Sequence, residues 1–523
     1  MRIAGPLTGL GLGLLALGPG LQPGYLLAYD MVFVPAPRFS ATMFGLTGTL
    51  PRAVPSDAVV TAFAQVLPAE VVQKCLLLGI FVLACAGAAR LLADEPWPAR
   101  LAAGVLYTWN PFVAERLLIG QWALLLGYAG LPWVLAAACR PIAGESWWRW
   151  AGRLGLALLP AAVGGFAAMG ISAIVAVCAA ALQRGSWRRR LTGIATALGV
   201  LLLLSLPWLV PSLTRPMRAS PLGVALFAAR ADTPFGAVGS VLLLGGQWNA
   251  QTVPAGYGGA VAVFWLLLVV VALAGFQLLG RGRWPGAGPA AVAGLVIALV
   301  GVYGPGQHLL RFLIGAWGGF AVLRDGQQFV APLALAEAAG LGLAVSWVLR
   351  AARPAAVLRD GTAVVATALV VAPVAFLPGL AWGASDRLRP VQYPASWLAA
   401  QRVVNADPAP GSVLLLPWAA YRRPGWNHGE AVLDPWPRLL TRTVVWNDGV
   451  QVGSVTLPPE DPSATALTAW MSSDRPLTAR LEAAGVRYVI DDSSAVTPQA
   501  EATLLPGCTV AYSAPGIAVY RVP

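Results

Sequence analysis

The chain has 523 residues, of which 57% are hydrophobic and only 11% charged, with a formal net charge of +12. A soluble domain carries roughly 25% charged residues, so this chain cannot cover itself in water and must sit in lipid. The positive balance does not indicate nucleic acid. The arginines gather in short stretches between apolar runs, the pattern that orients membrane proteins.

Apolar runs near the length of a span cover residues 4–21, 72–93, 99–114, 121–139, 191–211, 258–280, 287–303, 329–349 and 361–380. The first has no small-residue cleavage site and is read as a retained helix. Segment 154–183 has arginines on both flanks, Arg149 and Arg153 before it and Arg184, Arg188, Arg189 and Arg190 after it. Both flanks therefore belong on the cytoplasmic side, and the segment crosses twice, turning at Gly164-Gly165. The expected count is about eleven spans, with the N-terminus cytoplasmic. The loops at 94–98, 140–153, 184–190, 281–286 and 350–360 then lie inside. The loops at 22–71, 115–120, 212–257 and 304–328 lie outside, as does everything after 381.

The expected fold is thus a helical polytopic membrane body over 1–383 and an extracytoplasmic α/β domain over 384–523. In that tail, 411–418, 486–492 and 517–522 read as strands. "SATALTAWM" and "PLTARLEAAG" read as helices, the second ended by Gly485. The tail has one cysteine, Cys508, so it holds no internal disulfide, and no Cys/His spacing suggests a metal.

The stretch "GYLLAYDMVFVPAPRF" follows the first apolar run and carries one acid, Asp30, beside Tyr29. A carboxylate at the mouth of a lipid-lined cavity has a pKa set by partial burial and nearby arginines, which suits a general base. An ordinary solvated interfacial acid is the plainer reading. Residues 55–72 read as an amphipathic helix lying on the membrane and roofing such a cavity.

An acid just after the first span, a loop with an interfacial helix, many spans and a C-terminal outer domain together resemble the C-type (GT-C) superfamily of glycosyltransferases. Three more stretches resemble its actinobacterial envelope members, nearest the arabinofuranosyl- and mannosyltransferases. They are "YTWNPFVAERLLIGQWALLLGYAGLPW", "FAARADTPFGAVGSVLLLGGQWNAQTVP" and "FAVLRDGQQFVAPLAL". The resemblance implies transfer of a sugar, arabinofuranose or mannose, from a polyprenyl-phosphate lipid to an envelope glycan or glycolipid outside the cytoplasm. It makes Asp30 the base of an inverting displacement and calls for no cofactor beyond the lipid-linked donor.

The same stretches supply the candidate binding residues. Glu115 and Arg116 are expected at a tight outer turn after Asn110-Pro111. Arg230 and Asp232 fall in a loop that ends at Trp248 and Asn249. Arg324 and Asp325 cap the outer end of the tenth span, with His308 and Arg311 just before it. An arginine's planar fork binds two phosphate oxygens at once, so Arg230, Arg311 and Arg324 are candidates for the departing phosphate. Trp122 and Trp248 can stack on a sugar or anchor at the interface. Each arginine–acid pair is equally a structural salt bridge. Asp232 and Asp325 are the alternative bases.

No GxxxxGK[ST] loop and no DxD are present, so neither an ATP engine nor a metal-dependent nucleotide-sugar site is indicated. A transporter of lipid-linked glycan would place ionisable groups at mid-membrane; the acids are read instead at the outer edges. A non-catalytic scaffold with the same architecture remains open. The tail is either a substrate-positioning module or a stabilising lid.

Overall fold

The computed structural model describes residues 3–48, 51–140, 146–214, 219–351, 359–471, 476–493 and 504–523. The expected inner loops 140–153 and 350–360 fall partly outside the described residues. The body consists of α1 (Ala4–Leu17), α2 (Ser56–Ala64), α3 (Ala69–Leu91), α4 (Trp97–Thr108), α5 (Pro111–Leu118), α6 (Trp122–Ala138), α7 (Trp147–Gly164), α8 (Phe166–Ala181) and α9 (Trp187–Thr214). It continues through α10 (Gly223–Leu226), α11 (Gly236–Leu242), α12 (Val261–Gly275), α13 (Ala287–Val300), α14 (Gly304–Ala316), α15 (Ala331–Ala351) and α16 (Arg359–Phe376).

Hydrophobic burial cannot sort helices inside lipid, so close backbone packing does. Gly5, Gly9 and Gly13 recur every fourth residue on α1 and face α3. A Cβ on Gly9 would lie 2.6 Å from the Phe81 carbonyl oxygen.

Helices occupy the expected runs, with three differences. Length and composition alone pass five helical stretches as spans: Ala4–Leu21, Ala69–Leu91, Trp187–Thr214, Val261–Gly280 and Gly326–Ala351. Counting Ala287–Val300 with Gly304–Ala316, bent by 90°, and Asp360–Phe376 with Pro378–Asp386, bent by 55°, gives up to seven by this test; Trp122–Ala138 and Phe166–Ala181 are apolar helices too short to enter it, and the expected count of about eleven is not reached by length and composition. The run 99–114 is also not one helix. Asn110 accepts a hydrogen bond from the Val113 N–H at 3.0 Å and Pro111 takes the first position of α5, so the chain stops α4 and starts again. Finally, the amphipathic segment 55–72 is only α2; Pro68 caps α3, and residues 69–72 belong to that long helix. The hairpin turn is where arginine placed it: α7 ends at Gly164, α8 begins at Phe166, and Gly165 takes φ 80°.

The tail carries β2 (Pro390–Val391), β3 (Ser412–Leu416), β4 (Tyr421–Arg422), β5 (Val432–Leu433), β6 (Val444–Val445), β7 (Val450–Val452), β8 (Val455–Leu457), β9 (Val486–Asp491), β10 (Thr509–Ala514) and β11 (Ile517–Arg521). Five of these form a mixed sheet in the order β10-β11-β9-β3-β6, with β3 parallel to both β6 and β9. Helices at Pro462–Met471 and Thr478–Ala483 accompany it, and Gly485 takes φ 68° at the end of the second.

The tail is sewn onto the body. β1 (Tyr25–Leu26) pairs antiparallel with β2. The buried Gln73 of α3 satisfies Leu26 on its other edge, accepting from its N–H at 2.9 Å and donating to its carbonyl at 2.7 Å. One buried cluster runs from Leu12 of α1 to Val413, Tyr488 and Ile517 of the tail.

Candidate active site

A cavity of about 1160 Å³ lies where the first loop, the α5–α6 turn, the loops before α12 and α15, and the tail meet. Part of its lining is aromatic and apolar. Trp122 and Leu124 of α6, Phe166 of α8 and Trp208 of α9 line it, and Phe166 stacks on Trp208 at 4.4 Å. Its lining also carries Asp30, Arg52, Arg230, Arg324, Asp325 and, from the tail, Tyr421, Arg423 and Arg438. The shape suits a molecule with an apolar chain and a charged head.

Asp30 is turned into this cavity by its backbone. Tyr29 takes a positive φ of 43°, costly for a residue with a Cβ. Three hydrogen bonds hold that turn: the Tyr29 N–H to Ala431 O at 2.7 Å, the Leu433 N–H to Tyr29 O at 2.8 Å and the Asp30 N–H to Ile119 O at 3.1 Å. Gly120 makes the last approach possible, because a Cβ there would lie 2.2 Å from Ala28 O and Met31 N. The half-buried Asp30 carboxylate accepts a 2.5 Å hydrogen bond from the Tyr421 hydroxyl. Burial raises its pKa above the usual carboxylate range; the Tyr421 hydrogen bond, Arg52 and Arg438 oppose this, and Asp325 adds to it. A carboxylate of raised pKa is a stronger base, provided the medium keeps it ionised.

The other candidates fall into three groups. Tyr29, Arg230, Trp248, Asn249, Arg324 and Asp325 line the cavity with Asp30. Tyr29 donates to Gln251 at 2.6 Å. Trp248 meets Phe227 edge-on at 4.7 Å, and the Arg324 guanidinium lies over the same ring at 4.8 Å. Arg324 also pairs with Glu460 at 3.4 Å, a tail carboxylate that Arg52 grips from the other side.

The second group does not line the cavity. Glu115 and Arg116 are buried on α5 rather than on an open turn. Arg116 reaches Gln121 at 2.7 Å and Asp325 at 3.3 Å. Its Nε and Nη2, Oδ1 of Asp325 and Oε1 of Glu115 are buried with no hydrogen-bond partner among the described residues. Asp232 accepts from the Gly246 and Gln247 N–H groups, outside the cavity wall. Burial, and then Asp232, push the Glu115 carboxyl well above its ordinary range.

The third group is away from the site. His308 and Arg311 lie on α14; His308 is exposed, and Arg311 donates to Gln307 at 3.2 Å. Neither lines the cavity.

Several residues were not singled out from the sequence. Arg52, Tyr421, Arg438 and Glu460 come from loops and short elements whose register only the fold reveals. Arg438 pairs with Asp57 of α2 at 2.8 Å, tying the tail to the segment expected to roof the site. Glu337 corrects the reading that acids keep to the outer edges. It lies within the Gly326–Ala351 span, fully buried, with neither oxygen partnered among the described residues. A charge in an apolar run was its signal. Among the described residues, no group of three His, Cys, Asp or Glu side chains is arranged to hold a metal ion.

No family model and no curated protein matches the sequence. Solved structures do. The arabinofuranosyltransferase AftD from Mycobacteria aligns over 100% of this chain at 17% identity, with a TM-score of 0.60. A mutant form of it aligns at 17% identity with a TM-score of 0.61. The chain spans only about 40% of AftD's length. ArnT from Cupriavidus metallidurans, bound to undecaprenyl phosphate, aligns over 100% of this chain and 99% of its own, at 13% identity and a TM-score of 0.49. Over its whole length this chain shares the fold of AftD, and its long apolar helices make it a multi-pass membrane protein.

Proposed function

We propose that the protein is a membrane glycosyltransferase that moves a sugar, arabinofuranose or mannose, from a polyprenyl-phosphate donor to an envelope glycan or glycolipid. The reading includes about eleven crossings, a cytoplasmic N-terminus and an extracytoplasmic tail, which puts the cavity on the outer face. One observation carries it: Asp30 and Arg324 line one cavity together with aromatic side chains and further arginines.

In the proposed reaction, Asp30 takes the acceptor hydroxyl proton as that oxygen bonds to the anomeric carbon. The bond from that carbon to the phosphate oxygen breaks, and polyprenyl phosphate leaves with the electron pair and inversion at carbon. Arg324 and Arg230 stabilise the growing phosphate charge, as preorganised cations in a water-poor site do. Purified full-length chain in nanodiscs tests this with synthetic prenyl-phosphate arabinofuranose and prenyl-phosphate mannose, each offered with a short arabinan and a short mannan. Transfer from one donor is the expected result. Intact donor in all four mixtures contradicts the proposal. The glycan composition of a deletion strain identifies the sugar.

Glu337 favours a second reading, transport of a lipid-linked glycan, because a buried acid in a span is the usual mark of an ion or substrate pathway. Glu337→Gln separates the two readings: transfer is kept if Glu337 is only a neutral core group, and flux of lipid-linked glycan across vesicles falls if it serves transport.

A further inference from the structure

The tail does more than close the cavity. Leu433 of β5 hydrogen-bonds Tyr29, the residue next to Asp30, and Leu433 pairs directly with Tyr421 across the β4–β5 ladder. The first loop is therefore an added edge of that hairpin, joined through the bridge from Tyr29 to Val432. Side-chain period fixes the consequence: one strand register sets both the backbone of the base and the hydroxyl that reaches it. That hydroxyl lies 2.5 Å from Asp30 Oδ1. The neighbouring Tyr29 ring lies 6.2 Å from the Tyr421 ring, yet its hydroxyl goes to Gln251.

We propose, resting on the glycosyl-transfer reading above, that Tyr421 is a positioning residue: its hydroxyl, delivered by the tail hairpin, fixes the Asp30 carboxylate and keeps it in the ionised form that accepts the acceptor's proton. A hydroxyl donating to a carboxylate stabilises the charged form over the neutral one. Burial works the other way at Asp30. The remaining charged groups facing the pair are Arg52 from the first loop, Arg438 from the tail and Asp325 ahead of α15. The two arginines have other carboxylates to hold, Glu460 and Asp57. Among the described residues, Tyr421 is the side chain that hydrogen-bonds the Asp30 carboxylate. Asp30 remains the catalytic residue, and Tyr421 acts through it.

The test uses the full chain in nanodiscs without substrate. Infrared difference spectra, with Asp30→Asn subtracted, read the pH at which the Asp30 carboxyl protonates. Tyr421→Phe keeps the ring and removes the donor, and the midpoint is expected to move to higher pH. A 3,5-difluorotyrosine at 421 is a stronger donor and is expected to move it to lower pH. A midpoint that is the same in all three proteins overturns the proposal, as does one that moves in a single direction. The fluorinated protein keeps the test alive should Tyr421→Phe misfold.

The second readout is the acidic limb of kcat/KM, measured with whichever prenyl-phosphate donor the wild type uses. It should move with the infrared midpoint, with about a tenfold fall at the acid end in Tyr421→Phe. A midpoint that moves while the limb stays still removes Asp30 as the base and overturns the positioning role of Tyr421 in transfer. A wild type that uses neither donor overturns the glycosyl-transfer reading, and the infrared result then decides separately whether Tyr421 controls Asp30.

Discussion

The two ends of the helical body carry arginine–carboxylate networks of unequal completeness. At the far end from the cavity, Glu95 holds Arg283, Arg350 and the Ser346 hydroxyl, and both of its oxygens are partnered. At the cavity end, Arg116, Asp325, Glu115 and Arg324 each leave at least one buried polar atom without a partner among the described residues. Native proteins rarely bury such atoms without reason. A saturated network has done its work once the helices are pinned, whereas an unsaturated one keeps capacity for a ligand or ordered water. Residue types alone do not tell the two apart, since both ends show arginine beside acid.

Breaking the buried network behind the cavity lining should do the most damage. Arg116→Met leaves Asp325 without its buried cation and removes the positive charge beside Glu115, and the loss of one partner of a buried pair costs about 3–5 kcal/mol. Reduced yield and a lowered unfolding temperature in detergent are expected. Unchanged stability would mean that water already compensates this network.

Gly120→Ala comes next. Its Cβ cannot fit against Ala28 and Met31 at 2.2 Å, so the loop carrying Asp30 must shift, and φ of 81° adds about 1–2 kcal/mol. Transfer should fall more steeply than stability. Arg324→Met sharpens the contrast at the ligand itself. A hydrogen bond to a charged group contributes roughly 1.5–3 kcal/mol, so the KM for the prenyl-phosphate donor should rise at least about tenfold with stability little changed.

Glu95→Ala at the far end should show the smallest effect. Arg283 and Arg350 keep access to solvent, at 30% and 55% side-chain exposure, so the loss is about 1–2 kcal/mol. Transfer at the permissive temperature should be unchanged; a loss of transfer there would erase the distinction between the two ends.

Much of the body was legible because its signals are local. Apolar runs, arginine flanks and Gly164-Gly165 report on neighbouring residues. The tail strands at 412–416, 486–491 and 517–521 were legible for the same reason. Asp30, Arg230, Trp248, Asn249, Arg324 and Asp325 could be named, and they line one cavity. Tyr421 could not, because it meets Asp30 across 391 positions of chain through a strand pairing that no periodicity announces. Arg52 and Arg438 were hidden likewise. Glu115 and Arg116 were read as surface because charged pairs usually are; a capped helix carries them inward instead. Glu337 was overlooked because one acid does not break the apolar character of a long run.

The most direct measurement compares wild type with Asp30→Asn in single-turnover release of prenyl phosphate, across pH. Removing a general base should slow release by about 10²–10⁴-fold. The wild-type rate should fall as pH drops through the pKa of Asp30, which burial sets above the usual carboxylate value. Linkage gives the opposite sign for folding. A raised carboxyl stabilises the fold when protonated and loses that contribution as pH rises through the folded value, so Asp30→Asn should be at least as stable as wild type at neutral pH. A variant that folds, binds donor and releases prenyl phosphate at the wild-type rate would contradict the account.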